Sequence, residues 1–174
     1  MVEAAAEGRV EKQYPGGYEK QRQADIEASH ARPAATLVAD VAGANRRLES
    51  AWNALTQEQW ETGLGQRATL TALPELVSLR WREVEIHRLD LGFEKRDWNT
   101  LDPDYLDAEW EVLVNRLPGR VPEGTTLLLV PGDRPSRAAG NGDQVLTVRD
   151  TPGNLIGWLF GREEKPDRPE LAHW

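Results

Sequence analysis

The chain has 174 residues and a formal net charge of -8, with 29 acidic and 21 basic side chains. This length suits one domain or two small ones, and the acidic balance excludes general nucleic-acid binding, which needs a basic face. No cysteine is present, which excludes disulfides, thiolate ligands and cysteine nucleophiles, so any thiol must come from another molecule. We expect a cytoplasmic protein that binds no membrane, because neither a signal-peptide pattern nor a long apolar run occurs.

The first predicted element is the end of a helix over residues 2–8, closed by a glycine. Nothing before it would begin a helix, so the chain is expected to start inside an element. Residues 13–17, Gln-Tyr-Pro-Gly-Gly, predict a turn. The polar segment that follows, through His30, predicts either a short helix or a loop.

A long amphipathic helix is predicted after Pro33, because apolar residues recur every three or four positions and proline suits a first helical turn. It would run for about six turns at 3.6 residues per turn. Its apolar set is Leu37, Val41, Ala44, Leu48, Ala51 or Trp52, and Leu55. Thr56 and Gln59 then form a capping-box pattern that opens a short helix around Trp60, ended by the glycines at 63 and 65.

The next predicted helix begins at Pro74 and ends near Gly92. On it, Glu83 and His87 lie four residues apart and Asp90 follows three later, so all three project from one stripe. Imidazole and carboxylate are good ligands for a divalent ion such as zinc, but a zinc centre needs at least three protein donors. The remaining ligand must then come from another helix or chain. The same spacing also fits a solvated or salt-bridged face, and both interpretations stay open.

Apolar residues on more than one side of this helix predict that it is buried centrally. They are Trp81, Val84, Leu89 and Leu91. A buried acid needs a partner, which favours the metal interpretation of Glu83.

The character of the sequence changes after Trp98. The first predicted element after it is a helix at 103–117 that Pro-Gly stops. Two strands follow at 125–130 and 144–148, joined by a loop or hairpin connection at 131–142. A last helix is capped by Asp150 or Thr151 and ends at the Gly161-Arg162 pair. The charged tail at 163–174 is expected to be extended. We therefore predict an α+β fold with two domains, an all-helical one at residues 1–98 and a small α+β one at 99–174.

The motif Arg-Glu-Val-Glu-Ile-His-Arg-Leu-Asp-Leu at residues 82–91 resembles the signature helix of the mycothiol-dependent maleylpyruvate isomerase family. The metal-binding bundle of that family belongs to the wider DinB-like superfamily. Segments at 13–17, 24–28, 32–35 and 153–162 also fall in the family's order, so the resemblance covers nearly the whole chain. It implies a DinB-like four-helix bundle that holds a divalent metal, usually zinc, followed by a small α+β domain.

By this resemblance, Glu83 and His87 match metal ligands, and Arg162 matches a region where the family has an arginine thought to serve the active site. An arginine that caps carbonyls at the end of a helix is the alternative for Arg162. In the family a histidine on an early helix completes the ligand set, and this chain is expected to begin after that helix. Neither His30 nor His173 stands at that position, and both are predicted to be surface residues.

A partial bundle would leave apolar helix faces in water. The chain is then either a fragment or one half of a homodimer. Our hypothesis is a two-fold dimer that completes a four-helix bundle and brings Glu83 and His87 of each copy near one axis.

The resemblance implies a zinc- and mycothiol-dependent cis-trans isomerase with a small electrophilic substrate. The zinc-bound thiolate would add to the double bond of a cis-enedione acid, and rotation followed by elimination would release the trans product. Arginine would hold the substrate carboxylate. The alternatives are a thiol S-transferase of the same superfamily, a catalytically inactive remnant or dimerisation protein, and a metal-dependent hydrolase, which only the ligand pair supports.

Overall fold

The structure is a computed structural model that describes residues 1–67, 69–92, 97–163 and 165–172. Helices and sheets both occur, which confirms the predicted α+β class. By its internal contacts the chain divides into two compact units, residues 1–80 and 81–174. The domain boundary predicted at residue 98 stays a prediction, because compactness and domain limits are different properties. None of the helices in the described ranges combines the length and apolar character that a membrane span needs.

The first unit consists of short helices, one long helix, a small hairpin and the first half of a helix that continues into the second unit. In chain order the elements are α1 (Val2–Ala6), α2 (Tyr18–Ser29), α3 (Ala34–Asn53), α4 (Gln57–Thr62), β1 (Leu64–Gln66), β2 (Leu70–Ala72) and α5 (Leu73–Asp90). The predicted helices are thus confirmed, and the segment left open as helix or loop forms α2.

Local signals set the helix ends as expected. The capping box forms, with the Gln59 backbone N–H donating to Thr56 Oγ1 at 3.3 Å and the Thr56 N–H donating to Gln59 Oε1 at 2.8 Å. The Gln59 side chain also donates to the carbonyl of Ala6 at 2.7 Å, which ties α4 to the end of α1. Pro33 is the N-cap of α3 and therefore lies one residue before its first turn.

The prediction that residues 1–98 are all helical was wrong at the hairpin. β1 pairs with β2 in antiparallel register, with Gly65 opposite Thr71. Each strand has three residues, which is too short for an alternating pattern to show in the sequence. Gly63 ends α4 where no side chain fits, because a Cβ there would lie 2.5 Å from the carbonyl oxygen of Gln59.

The core of the first unit is small. Val2, Ala5, Leu73 and Leu76 are buried together. The apolar side chains packed against them come from the C-terminal half of α3, the connection to α4, α4 itself and α5: Leu48, Ala51, Trp52, Leu55, Trp60 and Leu79. All of α3 is described, and none of its residues is buried. This core therefore covers one end of α3 and leaves the other in solvent.

The second unit begins with the last turns of α5 and adds a sheet flanked by helices. Its elements are a 3₁₀ turn (Trp98–Thr100), α6 (Pro103–Arg116), a 3₁₀ turn (Leu117–Gly119), β3 (Thr125–Val130), β4 (Arg137–Gly140), β5 (Gln144–Arg149) and α7 (Pro152–Leu159). The described strands pair in the order β4-β3-β5, with β4 antiparallel and β5 parallel to β3. The two predicted strands are confirmed, whereas β4 falls in the segment predicted as a loop or hairpin connection.

The core of the second unit holds the end of α5 in place. Ile86 and Leu89 are buried in the same cluster as Trp98 and the inner face of α7. Gly157 of α7 lies directly against the Trp98 ring, where an added Cβ would come within 2.6 Å of the ring carbons. This close approach requires a glycine, and it sets the position of the C-terminal end of α7.

Candidate functional site

The predicted ligand pair lies on the solvent side of α5. Ile86 and Leu89 face the core, while the side chains of Glu83 and His87 are 52% and 56% exposed. Val84 on the same helix and Leu91, one residue past its end, are also exposed. The prediction that this helix is buried centrally was therefore wrong. Its apolar residues are spread around the helix, but the second unit packs against one side only.

The predicted stripe does bring its polar side chains together. His87 Nε2 lies 3.1 Å from Glu83 Oε2, and His87 Nδ1 lies 3.1 Å from Asp90 Oδ2. The imidazole is thus held between two carboxylates from its own helix. Both contacts follow from helical spacing, as the sequence predicted.

Asp90 extends this cluster to the end of α7. Arg162 donates from Nε to Asp90 Oδ1 at 3.3 Å and from Nη2 to Oδ2 at 3.2 Å, a two-pronged contact of guanidinium with carboxylate. Burial acts to raise the pKa of Asp90, but the hydrogen bond and charge of Arg162, followed by those of His87, outweigh it and hold that pKa below its ordinary value. Glu83, His87, Asp90 and Arg162 form the polar cluster of α5.

The backbone at the end of α7 places Arg162. Gly161 has φ +69°, its N–H donates to the carbonyl of Trp158 at 2.8 Å, and the Arg162 N–H donates to the carbonyl of Gly157 at 2.9 Å. These are the two hydrogen bonds of a Schellman C-cap. The Arg162 side chain also donates from Nη1 to the carbonyl of Phe160 at 3.3 Å. Both interpretations of Arg162 thus find contacts: it caps a helix end, and it reaches the cluster that contains His87.

The geometry of Glu83 and His87 is compatible with two ligands of one metal ion. Two donors about 2.0 Å from a tetrahedral zinc ion are about 3.3 Å apart, close to the 3.1 Å between Oε2 and Nε2. Asp90 on Nδ1 is in the position of the carboxylate that orients most metal-bound histidines. It cannot share an ion with Glu83, because the two acids contact opposite nitrogens of the ring.

The described residues provide no third donor. Across residues 1–67, 69–92, 97–163 and 165–172, no group of three or more His, Cys, Asp or Glu side chains is arranged to hold a metal ion. His30 is exposed, as predicted, and its Nδ1 lies 2.9 Å from the carbonyl oxygen of Glu27. His173 lies outside the described residues. The described residues therefore fit two positions of a zinc centre and do not complete one.

A second ionic cluster, next to the first, was missed from the sequence. Arg82 donates to both carboxylate oxygens of Glu109 on α6, at 2.7 to 3.1 Å, and the Glu109 side chain is only 4% exposed. Burial, with the charge of Glu109, raises the pKa of the neighbouring Tyr105. An acid among the apolar positions of α6 was the available signal, but the sequence did not identify Arg82 as its partner. This buried pair joins the end of α5 to α6.

Comparison with known proteins identifies relatives of this chain. Residues 1–92 match the family model of the mycothiol maleylpyruvate isomerase N-terminal domain. Two solved structures, a crystal structure of the mycothiol-dependent maleylpyruvate isomerase and one of its point mutant, match with a TM-score of 0.81 and 20% identity, over 97% of this chain and 73% of theirs. At this identity the likeness establishes a shared fold. No curated protein sequence matches the chain.

Proposed function

The chain belongs to the mycothiol maleylpyruvate isomerase N-terminal domain family, and we propose that it is a thiol-dependent cis-trans isomerase of a small unsaturated keto acid. The observation that carries the proposal is the polar cluster of α5, in which His87 is fixed between Glu83 and Asp90. Glu83 and His87 lie on the motif helix, are open to solvent, and are of the residue types that hold a catalytic ion. The predicted cytoplasmic location stays a prediction.

The proposed reaction uses a thiol from outside the chain, which has no cysteine of its own. Mycothiol is the thiol named for the family. Its sulfur would form a bond to one carbon of the conjugated double bond of a cis-enedione acid, and the neighbouring carbonyl would take the electron pair. The former double bond can then rotate, and elimination of the thiol restores the double bond in the trans form. Thiol and substrate atoms balance, and no oxidant is needed.

The proposed cofactor is a divalent ion, with zinc as the first candidate. Bound by Glu83, His87 and a third donor, it would supply the positive charge that lowers the pKa of the thiol. Because the described residues bring two of these donors together and form no group of three, the proposal includes a third donor from another chain.

For Arg162 the geometry supports a positioning role. A substrate carboxylate would use the Nε and Nη2 edge of the guanidinium, and Asp90 occupies that edge. Arg162 therefore acts through Asp90, which in turn orients His87 and directs Nε2 toward Glu83. A direct contact of Arg162 with the substrate would require the substrate to displace Asp90.

Two observations support a second candidate, a non-catalytic interaction protein. Glu83 and His87 are half exposed, and the described residues provide no third donor. A thiol S-transferase is a variant of the first proposal, since the same site would present the same thiol to a different electrophile.

The test is turnover of maleylpyruvate by the purified full chain with mycothiol and zinc, followed by proton NMR, which distinguishes the cis from the trans acid by the coupling across the double bond. We expect isomerisation that His87→Ala and Glu83→Ala abolish. His30→Ala is the matched control, since His30 caps the end of an exposed helix and also has a glutamate one turn away, and it should leave the rate unchanged. Zinc binding without turnover would point to a different electrophile. If the chain shows neither zinc binding nor turnover, the proposal is overturned and the interaction protein is favoured.

A further inference from the structure

The N-terminal half of α3 (Ala34–Asn53) is an apolar helix surface in solvent. Val38 and Val41 are 69% and 59% exposed, whereas Leu48 and Trp52 near the other end pack against the core of the first unit. Half of one amphipathic helix is therefore covered and half is not. Exposed apolar surface of this kind marks an interaction site.

The exposed half continues a regular seam. Leu37, Val41, Ala44 and Leu48 are spaced by four, three and four residues, which is the a/d pattern of a helix that packs lengthwise against another helix. On this seam, Leu48 packs against the core of the first unit, whereas Val41 is exposed to solvent. The partner that fits such a seam is a second helix aligned with α3.

The charges beside the seam identify that helix. With Val41 at an a position, Asp40 and Arg47 are at successive g positions. In an antiparallel two-fold pair, g positions face g positions, so Asp40 of each copy meets Arg47 of the other. In a parallel pair, each would instead face an e position, occupied by Asn45 and Trp52, and no opposite charges would meet. The flank of α3 is thus complementary to itself in one orientation only.

We propose that α3 is a homodimer interface, in which residues 37–47 of two copies pack antiparallel about a two-fold axis near Gly43. Val41 packs against Ala44 of the other copy, and two Asp40–Arg47 ion pairs flank the seam. The present partner of Asp40 is Arg32, at 2.5 Å, and both side chains are largely exposed. An exposed pair of this kind contributes little, so exchanging it for Arg47 of the second copy costs little.

The size of the surface sets the expected strength. About three turns per helix bury less than the roughly 1,200 Å² of a stable specific complex. The dimer should therefore form at about 100 µM chain and dissociate on dilution toward about 1 µM, as weak interfaces do. This interface does not depend on the proposed isomerase chemistry.

Sedimentation velocity of the full chain over this concentration range tests the proposal. Val41→Glu should weaken the dimer at least about 10-fold, because it places a charge in the seam. Ala39→Glu is the matched control. It adds the same residue on the opposite face of the same exposed half and should leave association within about 2-fold of wild type, as expected for a change away from the contact.

Swapping the charges of Asp40 and Arg47 provides a second test, which remains available if Val41→Glu fails to fold. Asp40→Arg and Arg47→Asp should each weaken the dimer about 3-fold at low salt, and the double variant should return to within about 2-fold of wild type, since it restores both pairs. A wild-type chain that is monomeric at the highest concentration overturns the proposal. So does an equal effect of Val41→Glu and Ala39→Glu, or a double variant no better than the single ones.

Discussion

Adjacent residues of α5 take part in two ionic clusters that differ in almost every respect. Arg82 points into the second unit and meets the buried carboxylate of Glu109, while Glu83 points to solvent and meets His87. A buried ion pair is expensive to form and more expensive to break, whereas an exposed one contributes little to stability. The first cluster therefore holds α5 in place. The second is accessible to solvent, as the proposed metal site requires.

The largest effect on stability is expected from breaking the buried pair. Glu109→Gln should lower the free energy of unfolding by about 3 kcal/mol, because it leaves Arg82 without its countercharge inside the unit. Urea denaturation followed by far-UV circular dichroism measures it. Glu111→Gln is the matched control two residues along α6, where an exposed pair with Arg137 is lost and about 0.5 kcal/mol is expected. Equal losses would mean that burial does not distinguish these pairs.

An intermediate effect is expected at Asp150, which is partly buried. Burial acts to raise its pKa, but the hydrogen bonds from Lys165, Asn154 and the Thr151 N–H outweigh it and lower the pKa to about 2. Because the folded pKa lies below the unfolded one, this contribution to stability is complete above about pH 5 and is lost as pH falls toward 2.

Replacing Asp150 removes that pH dependence. Asp150→Asn should lower the free energy of unfolding at pH 7 by about 2 kcal/mol and should cost progressively less as the pH approaches 2. Denaturation of both proteins at a series of pH values measures the difference. A cost that is the same at pH 3 and pH 7 would contradict the assignment.

Substitution of Asp90 should affect stability less than substitution of Asp150 does, but it should weaken zinc binding. Asp90→Asn keeps the shape but removes the charge between Arg162 and His87, so we expect a loss of about 1 kcal/mol in stability and about a 10-fold loss in zinc affinity, as for other residues that orient a ligand. Arg162→Gln should lower zinc affinity less, since it acts through Asp90. If Arg162→Gln raised the KM for substrate and left zinc binding unchanged, a direct substrate contact would replace the positioning role.

The smallest effect on stability is expected at the exposed pair of Glu83 with His87. Glu83→Gln should change the free energy of unfolding by less than about 0.5 kcal/mol, because the pair with His87 is open to water. Thermal and urea denaturation of the variant give this value. A loss of several kcal/mol would mean that Glu83 is structural and would remove the contrast with Arg82.

Local patterns in the sequence predicted most of the fold, because caps, prolines and apolar periodicity act within a few residues. Two helices begin as expected, α4 at the capping box of Thr56 with Gln59 and α7 at Thr151. Two helices also end as expected, α5 and α7, each followed by a glycine. The contact of Glu83 with His87 was predictable for the same reason. Both lie on one turn of one helix.

The misses share a different cause. The β1–β2 hairpin and β4 are defined by pairing between short segments that show no pattern of their own. The pairs Arg82–Glu109 and Asp90–Arg162 join residues 27 and 72 positions apart, and no local signal links them. The exposure of His87 depends on which side of α5 the second unit covers, and hydrophobic periodicity around α5 did not distinguish its sides.

Isothermal titration calorimetry with zinc tests whether Glu83 and His87 hold a metal ion, with wild type, Glu83→Ala, His87→Ala and His30→Ala compared at one chain concentration. We expect saturable binding by wild type and unchanged binding by the His30 variant. Affinity should fall at least about 10-fold in the Glu83 and His87 variants, since each removes one donor. Equal zinc affinity in all four proteins, or no binding by wild type, would contradict this expectation.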